Sequence, residues 1–167
     1  MHRNENLAYQ RSFREFANID HWVGPHAVTL TLKQGVMPNN GGSFLMLTMD
    51  RASQNYRHFL NLLNGAVFGK GAKRGNERVN SISVIEGGNG TRLHIHAIID
   101  CSSQALWSNF PVLIEKVWQR TQWGHGQIDV QSDADAGWTN YISKFRDKPS
   151  YVDAIDWENY HNRDCRV

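Results

Sequence analysis

The chain has 167 residues, 40% of them hydrophobic and 20% charged, with six Trp and seven Phe. That is enough apolar material for one domain with a real core, and it excludes a multidomain machine and extensive disorder. A net charge of +2 and a pI near 8.6 are too mildly basic to announce a nucleic-acid binder, so local clustering of charge has to carry any such claim.

The first segment, residues 1 to 20, reads as an amphipathic helix with Leu7, Phe13 and Phe16 as its apolar contacts. It is polar and charged, without the apolar centre of a signal peptide, and no run in the chain approaches the ~20 residues of a membrane span. Cys101 and Cys165 form no Cys-x-x-Cys pair, which removes a zinc ribbon or disulfide framework and fits a reducing compartment. The expectation is a soluble, cytoplasmic protein with no membrane partner.

From His26, Ala27 to Lys33 alternates strictly, with Val28, Leu30 and Leu32 on one face of a strand. A Pro/Asn/Gly turn at Met37 to Ser43 leads to a second strand, Phe44 to Met49. Asp50 stands where a helix N-cap is wanted, and Tyr56, Phe59, Leu60, Leu63 and Val67 recur at helical spacing over 51 to 68. Gly69 to Gly75 then reads as a glycine-rich basic loop. It is not a Walker A loop, because the Gly65 to Lys70 spacing is one short and Gly71 stands where Ser or Thr would hold Mg²⁺.

A hairpin follows: strand Val79 to Glu86, the turn Gly87-Gly88-Asn89-Gly90, and the strand carrying Leu93-His94-Ile95-His96-Ala97-Ile98-Ile99. Leu106, Trp107, Phe110, Leu113, Ile114, Val117 and Trp118 mark another amphipathic helix. Gly124-His125-Gly126 reads as a turn and Gln127 to Gln131 as a short strand. Asp133 or Asp135 caps a third helix running to about Asp147, which Lys148-Pro149 ends. The sequence leaves the segment from Tyr151 onward unplaced.

Alternation in a strand sends His94 and His96 to one side of the sheet and Leu93, Ile95, Ala97 and Ile99 to the other. If the hairpin pairs residues whose numbers sum to about 180, Glu86 lies opposite His94 on the histidine face. Two imidazoles and a carboxylate with open positions suit a catalytic Mn²⁺, Mg²⁺ or Zn²⁺ better than a closed structural site. In the third helix Trp138, Ile142 and Phe145 face the core, while Tyr141 and Lys144 form the adjacent stripe with Lys148 one turn on. Phenol ionises near ~10, so an attacking tyrosine needs a neighbouring cation to stabilise its anion. Lys70, Lys73, Arg74, Arg78, Arg92 and Lys148 are candidate contacts to a nucleic-acid backbone.

The order of strand Val28 to Thr31, Glu86, His94-Ile95-His96 and Tyr141-Ile142-Ser143-Lys144 resembles the three motifs of HUH endonucleases, over about residues 26 to 148. Within that family it looks most like the rolling-circle replication initiators with one catalytic tyrosine. The resemblance implies that His94, His96 and Glu86 hold the metal, expected to be Mn²⁺ or Mg²⁺, that Tyr141 is the nucleophile, and that Lys144 is the family's lysine. It implies an α+β fold: an RRM-like, ferredoxin-like sandwich with a central antiparallel sheet flanked by helices. Residues 1–167 would form a single endonuclease domain.

The implied activity is cleavage of single-stranded DNA at a replication origin, at a hairpin or nick site, through a 5′-phosphotyrosyl intermediate and a free 3′-hydroxyl. Rejoining follows when that hydroxyl attacks back, without ATP. A tyrosine that follows the histidines argues against a relaxase. Single-tyrosine transposases share the order but generally lack the Tyr-x-x-Lys pairing. With no nucleotide-binding loop for a helicase of its own, such an initiator would rely on a host helicase. A histidine-triad hydrolase is opposed by Ile98 and a cupin by the helices. A non-catalytic RRM-like module that stacks bases is opposed by Glu86, for which stacking has no use.

Overall fold

A computed structural model of the chain describes residues 2–88, 90–135, 137–138 and 154–163. Strand β1 (Pro25–Leu32) keeps the alternation read from the sequence, with Val28, Leu30 and Leu32 fully buried. After it, β2 (Gly35–Val36) and β3 (Leu45–Met46) form a two-stranded ribbon, so the strand expected over Phe44 to Met49 shrinks to two residues. Helix α2 (Met49–Phe68) starts early: Thr48, in extended conformation, is the N-cap, and its hydroxyl accepts from the Arg51 amide at 3.2 Å. Asp50, expected as the cap, is already helical and sits in the first turn, where a carboxylate complements the helix dipole.

Gly69, at φ +53°, ends α2 and the chain restarts as a single helical turn, α3 (Lys70–Arg74), where a flexible basic loop was expected. Strands β4 (Ser81–Gly88) and β5 (Thr91–Asp100) follow as the hairpin. The next helical segment opens as a 3₁₀ turn over Gln104–Asn109 and becomes α4 (Phe110–Gln119) with Pro111 in its first turn, a position that needs no amide donor. Strand β6 (Gly124–Ser132) then includes the Gly124-His125-Gly126 expected as a turn. Gly124 serves close packing instead: a Cβ there would lie 2.3 Å from the Trp118 carbonyl oxygen.

The four long strands form one antiparallel sheet in the order β4-β5-β1-β6, flanked by helices, as in a ferredoxin-like sandwich. One face carries Ile85, Ile95, Leu30, Ala97 and Val28 and packs against Tyr56, Phe59 and Leu63 of α2 and Phe110, Ile114 and Trp118 of α4. Burial of each such side chain contributes on the order of 2 kcal/mol. Part of the opposite face, around Ala27, Ile82, Val84 and Ile98, lies under Phe13 of helix α1 (His2–Phe16), under Ala17, Ile19 and Trp22, and under Ala154 and Ile155. Leu7 is exposed, and Phe16, 42% exposed, rests its ring on Trp157 and Tyr160.

Residues 154–163, which the sequence left unplaced, run beside the outer edge of β4. Ser81 and His161 exchange backbone hydrogen bonds of 2.8 and 3.0 Å, and the Asp156 amide donates to the Ser83 carbonyl at 3.0 Å. This covers an edge that would otherwise present unpaired backbone groups. Of the third helix, Asp135 is seen to cap: its Oδ1 accepts from the amides of Gly137 and Trp138 at 2.8 and 3.3 Å. The remainder of that element lies outside the described residues.

Leu30→Ala is expected to lower the unfolding free energy by about 3 kcal/mol, because β1 is central and buried against α2 and α4, and chemical denaturation reads it directly. Burial holds the His161 imidazole below its ordinary 6.5, with the Val79 carbonyl opposing. The unfolded chain therefore binds the proton first as pH falls, and stability drops from 6.5 down through the lowered folded value. Denaturation midpoints at pH 7.5 and about 5.5 should differ less in His161→Gln than in the wild type.

A candidate metal centre on the sheet

Glu86 pairs directly with His94 in the β4–β5 ladder, and His96 lies diagonally beyond, opposite Val84. All three side chains leave the same face, the one away from α2 and α4. Glu86 Oε2 lies 3.6 Å from Nε2 of His94 and 3.6 Å from Nε2 of His96, and the ligand atoms of the three groups lie within 4.8 Å of one another. The imidazoles meet edge to face, with centroids 4.7 Å apart at 88°. His96 is buried, while Glu86 and His94 are partly exposed, so the cluster has a dry back and an accessible front.

The other ring nitrogens are engaged. His94 Nδ1 is 3.0 Å from the Arg92 carbonyl oxygen, which can only accept, so Nδ1 carries a proton and the neutral imidazole has its lone pair on Nε2. His96 Nδ1 is 3.0 Å from Thr29 Oγ1, its neighbour across the β1–β5 ladder. With the hydroxyl oxygen accepting from Nδ1–H, His96 also turns a lone pair toward Glu86. A metal-binding histidine is oriented by this kind of partner. The donor set therefore fits a divalent ion, and this His-His-Glu group can bind one.

Backbone geometry fixes the Arg92 carbonyl. Gly87 adopts φ +110° at the hairpin's register shift, and a Cβ there would meet the Arg92 carbonyl oxygen at 2.5 Å. Gln34 ties the neighbouring residue to the end of β1: its Oε1 accepts from the Leu93 amide at 2.9 Å, and its Nε2 donates to the Leu32 carbonyl at 2.8 Å. The parts that Thr29, Gly87 and Gln34 play at this site escaped the sequence reading, which took Gly87 only as a turn residue. Thr29 stands on the polar side of an alternating strand, but that it faces His96 follows only from a pairing across 67 residues.

The other candidates fall in different places. Arg92 is exposed, two residues before His94 and on its face of β5. Lys70, Lys73 and Arg74 are exposed on α3, which precedes the Ser81 end of β4, about 17 Å of strand from Glu86. Arg78 donates to the carbonyls of Ala72 and Glu77 at 3.0 and 3.3 Å, bonds that hold the link from α3 to β4. His125 lies on β6, where its Nδ1 accepts from the Gln127 amide at 3.1 Å. Tyr141, Lys144 and Lys148 lie outside the described residues.

Residues 25–150 match the replication-associated protein ORF2 family, about three-quarters of the chain. The chain belongs to that family of replication-associated proteins. The matched region starts at the first residue of β1 and contains the whole His-His-Glu group, and membership makes DNA the partner of this replication-associated protein. No curated protein and no solved structure matches the chain. Among the described residues of this family member, no helix is long and apolar enough to cross a membrane.

Thr29→Val keeps the shape of the side chain and removes the oxygen that orients His96, so Mn²⁺ affinity by calorimetric titration should fall about tenfold, with Thr29→Ser close to wild type. Gly87→Ala should weaken Mn²⁺ similarly by displacing the Arg92 carbonyl. Wild-type affinity in both Thr29→Val and Gly87→Ala would show that these contacts do not set the ligand geometry.

Proposed function

We propose that this chain is a replication initiator that nicks and rejoins single-stranded DNA at an origin, using a divalent metal and Tyr141. The observation that carries this reading is the convergence of two histidine Nε2 atoms on one Glu86 carboxylate oxygen, with both Nδ1 atoms tied away from it. Membership in a replication-associated family supplies the DNA context. A Mn²⁺ or Mg²⁺ ion held by Glu86, His94 and His96 would supply Lewis-acid polarisation of a phosphoryl oxygen.

In this reading Tyr141 Oη attacks phosphorus. The bond from phosphorus to Oη forms, the bond to the 3′-oxygen breaks, and that oxygen takes up a proton to leave as a free hydroxyl. Lys144, three residues along the sequence, stabilises the phenolate before attack. Return of the 3′-hydroxyl to the phosphotyrosine reverses the exchange, which conserves the phosphodiester energy and needs no ATP. Arg92 extends a cation from the metal-site face toward the DNA backbone. Lys70, Lys73, Arg74 and Lys148 add sequence-independent attraction, and a host helicase supplies unwinding.

The other tyrosines among the described residues support this choice. Tyr56 is fully buried, its hydroxyl 2.7 Å from Ser81 Oγ, and burial pushes its phenol far above the ordinary value, which removes it as a nucleophile. Tyr160 packs its ring on Phe16 and Trp157. Tyr9 is exposed on α1, outside the family-matched region.

Incubated with end-labelled single-stranded DNA of randomised centre and Mn²⁺, the protein should give a boiling-resistant adduct that carries only the 3′-labelled fragment, and EDTA should abolish it. Tyr141→Phe should lose the adduct and keep DNA binding. His96→Ala should lower cleavage by more than the about tenfold to hundredfold that removal of an outer-shell partner costs. An adduct that persists in Tyr141→Phe would move the nucleophile elsewhere, with Tyr151 the next candidate. Tight, metal-independent binding with no adduct, on DNA containing the origin, would sink the nuclease reading.

A further inference from the structure

A second concave site lies off the metal-site face. A groove of about 920 Å³ opens between the end of β1, the β2–β3 ribbon, the first turns of α2 and the link from α4 to β6. Its walls carry Lys33, Arg51, His58 and Arg120, with the amides of Gln54 and Gln122 among them, and no carboxylate lines it among the described residues. Nor does any carboxylate pair with Lys33, Arg51 or Arg120 among the described residues. Concentrated positive charge in a concave surface focuses field and attracts anions.

The floor is rigid. Asn55, buried in α2, donates to Thr121 Oγ1 at 3.0 Å and accepts from the Trp123 amide at 3.3 Å, while the Lys33 amide donates to the Trp123 carbonyl at 2.8 Å. These bonds lock α2, the end of β1 and the α4–β6 link together. Arg51 donates to the Met46 carbonyl, which fixes one edge of its guanidinium against β3. The cations are thus displayed from a fixed frame, so less ordering is needed when an anion binds.

Placement says which anion. Thr31 of β1 is the ladder partner of His94, and Lys33 follows two residues later, about 7 Å further along the chain. The groove therefore begins at the end of the sheet where Glu86 and His94 lie, and it turns from there toward α2. A strand that crosses the metal-site face and leaves by this end meets Lys33 first.

We propose that this groove is a second DNA-contact surface, which holds backbone phosphates of the DNA flanking the segment on the metal-site face. The inference rests on the DNA-processing reading above. It adds a surface on the helix side of the sheet, set by Lys33, Arg51 and Arg120, that extends the bound length beyond the metal centre. Amides at the walls donate to phosphate oxygens without reading bases, so the surface is indifferent to sequence.

The test uses the full chain in EDTA, so that binding is read without cleavage, with thymidine oligonucleotides of about 8 nucleotides, which do not outreach a single binding face, and about 30, which do. Lys33→Gln/Arg120→Gln should leave the short oligonucleotide's affinity unchanged, weaken the long one about tenfold, and lower its logarithmic salt slope by about 1.4, two contacts at about 0.7 each. Arg120→Gln alone, an exposed position, should lower that slope by about 0.7 and guards against a folding defect in the double variant. Unchanged affinity and slope on the long oligonucleotide would overturn the groove and leave the nuclease reading standing. Wild-type protein that binds neither oligonucleotide would overturn the sequence-indifferent groove, while adduct formation on DNA containing the origin decides the nuclease reading separately. Binding of dATP that the double variant loses while long-DNA binding is unchanged would overturn the proposal in favour of a free-nucleotide site.

Discussion

The β4–β5 ladder register decides what this sheet can do. Glu86 faces His94 because Ser81 through Glu86 pair with Ile99 back through His94, and a slip of one residue would send the carboxylate into the apolar layer under α2. The register is held from several sides. Ile82, Val84 and Ile98 are buried on one face, and Ile85, Ile95, Ala97 and Ile99 on the other, so both sets would be misplaced together by a slip. At the turn end, Gly87 permits a close backbone approach that a side chain would forbid.

The two faces of the sheet carry different burdens as a result. The α2 and α4 side is continuous core and supplies most of the rigidity. The other side is divided: an apolar part lies under α1 and residues 154–163, and a polar part carries Glu86, His94, His96, Thr29 and, on the edge strand, Asp129. Thr29 belongs to both descriptions. Its backbone stands between buried Val28 and Leu30 in the central strand, and its hydroxyl meets His96, so the packing of β1 is passed directly to a metal-competent ring.

Much of this was legible because it rests on short-range regularities. Period-two alternation exposed β1 and the shared side of His94 and His96, and helical spacing exposed α2 and α4. A symmetric hairpin register placed Glu86 opposite His94. What escaped depends on distant pairing or on local competition. The Thr29 contact needs β1 beside β5, and the edge role of 154–163 needs β4 to be an outer strand. Thr48 displaced Asp50 as the cap because the residue before the helix was itself a competent hydroxyl. Gly124 misled because a glycine that admits a neighbouring carbonyl looks, in sequence, like one that turns the chain.

The segments that cover the apolar part of the second face have one further consequence. The family-matched region runs from 25 to 150, yet Phe13, Ala17, Ile19 and Trp22 precede it and Ala154 and Ile155 follow it. A fragment trimmed to the shared sequence would keep Ala134 and Trp138 but lose the rest of the cover over Ala27, Ile82, Val84 and Ile98, leave the β4 edge open to strand addition, and invite self-association. Where recognisable ancestry stops, burial continues, and the solubility of the replication-associated core depends on residues that its kinship does not include.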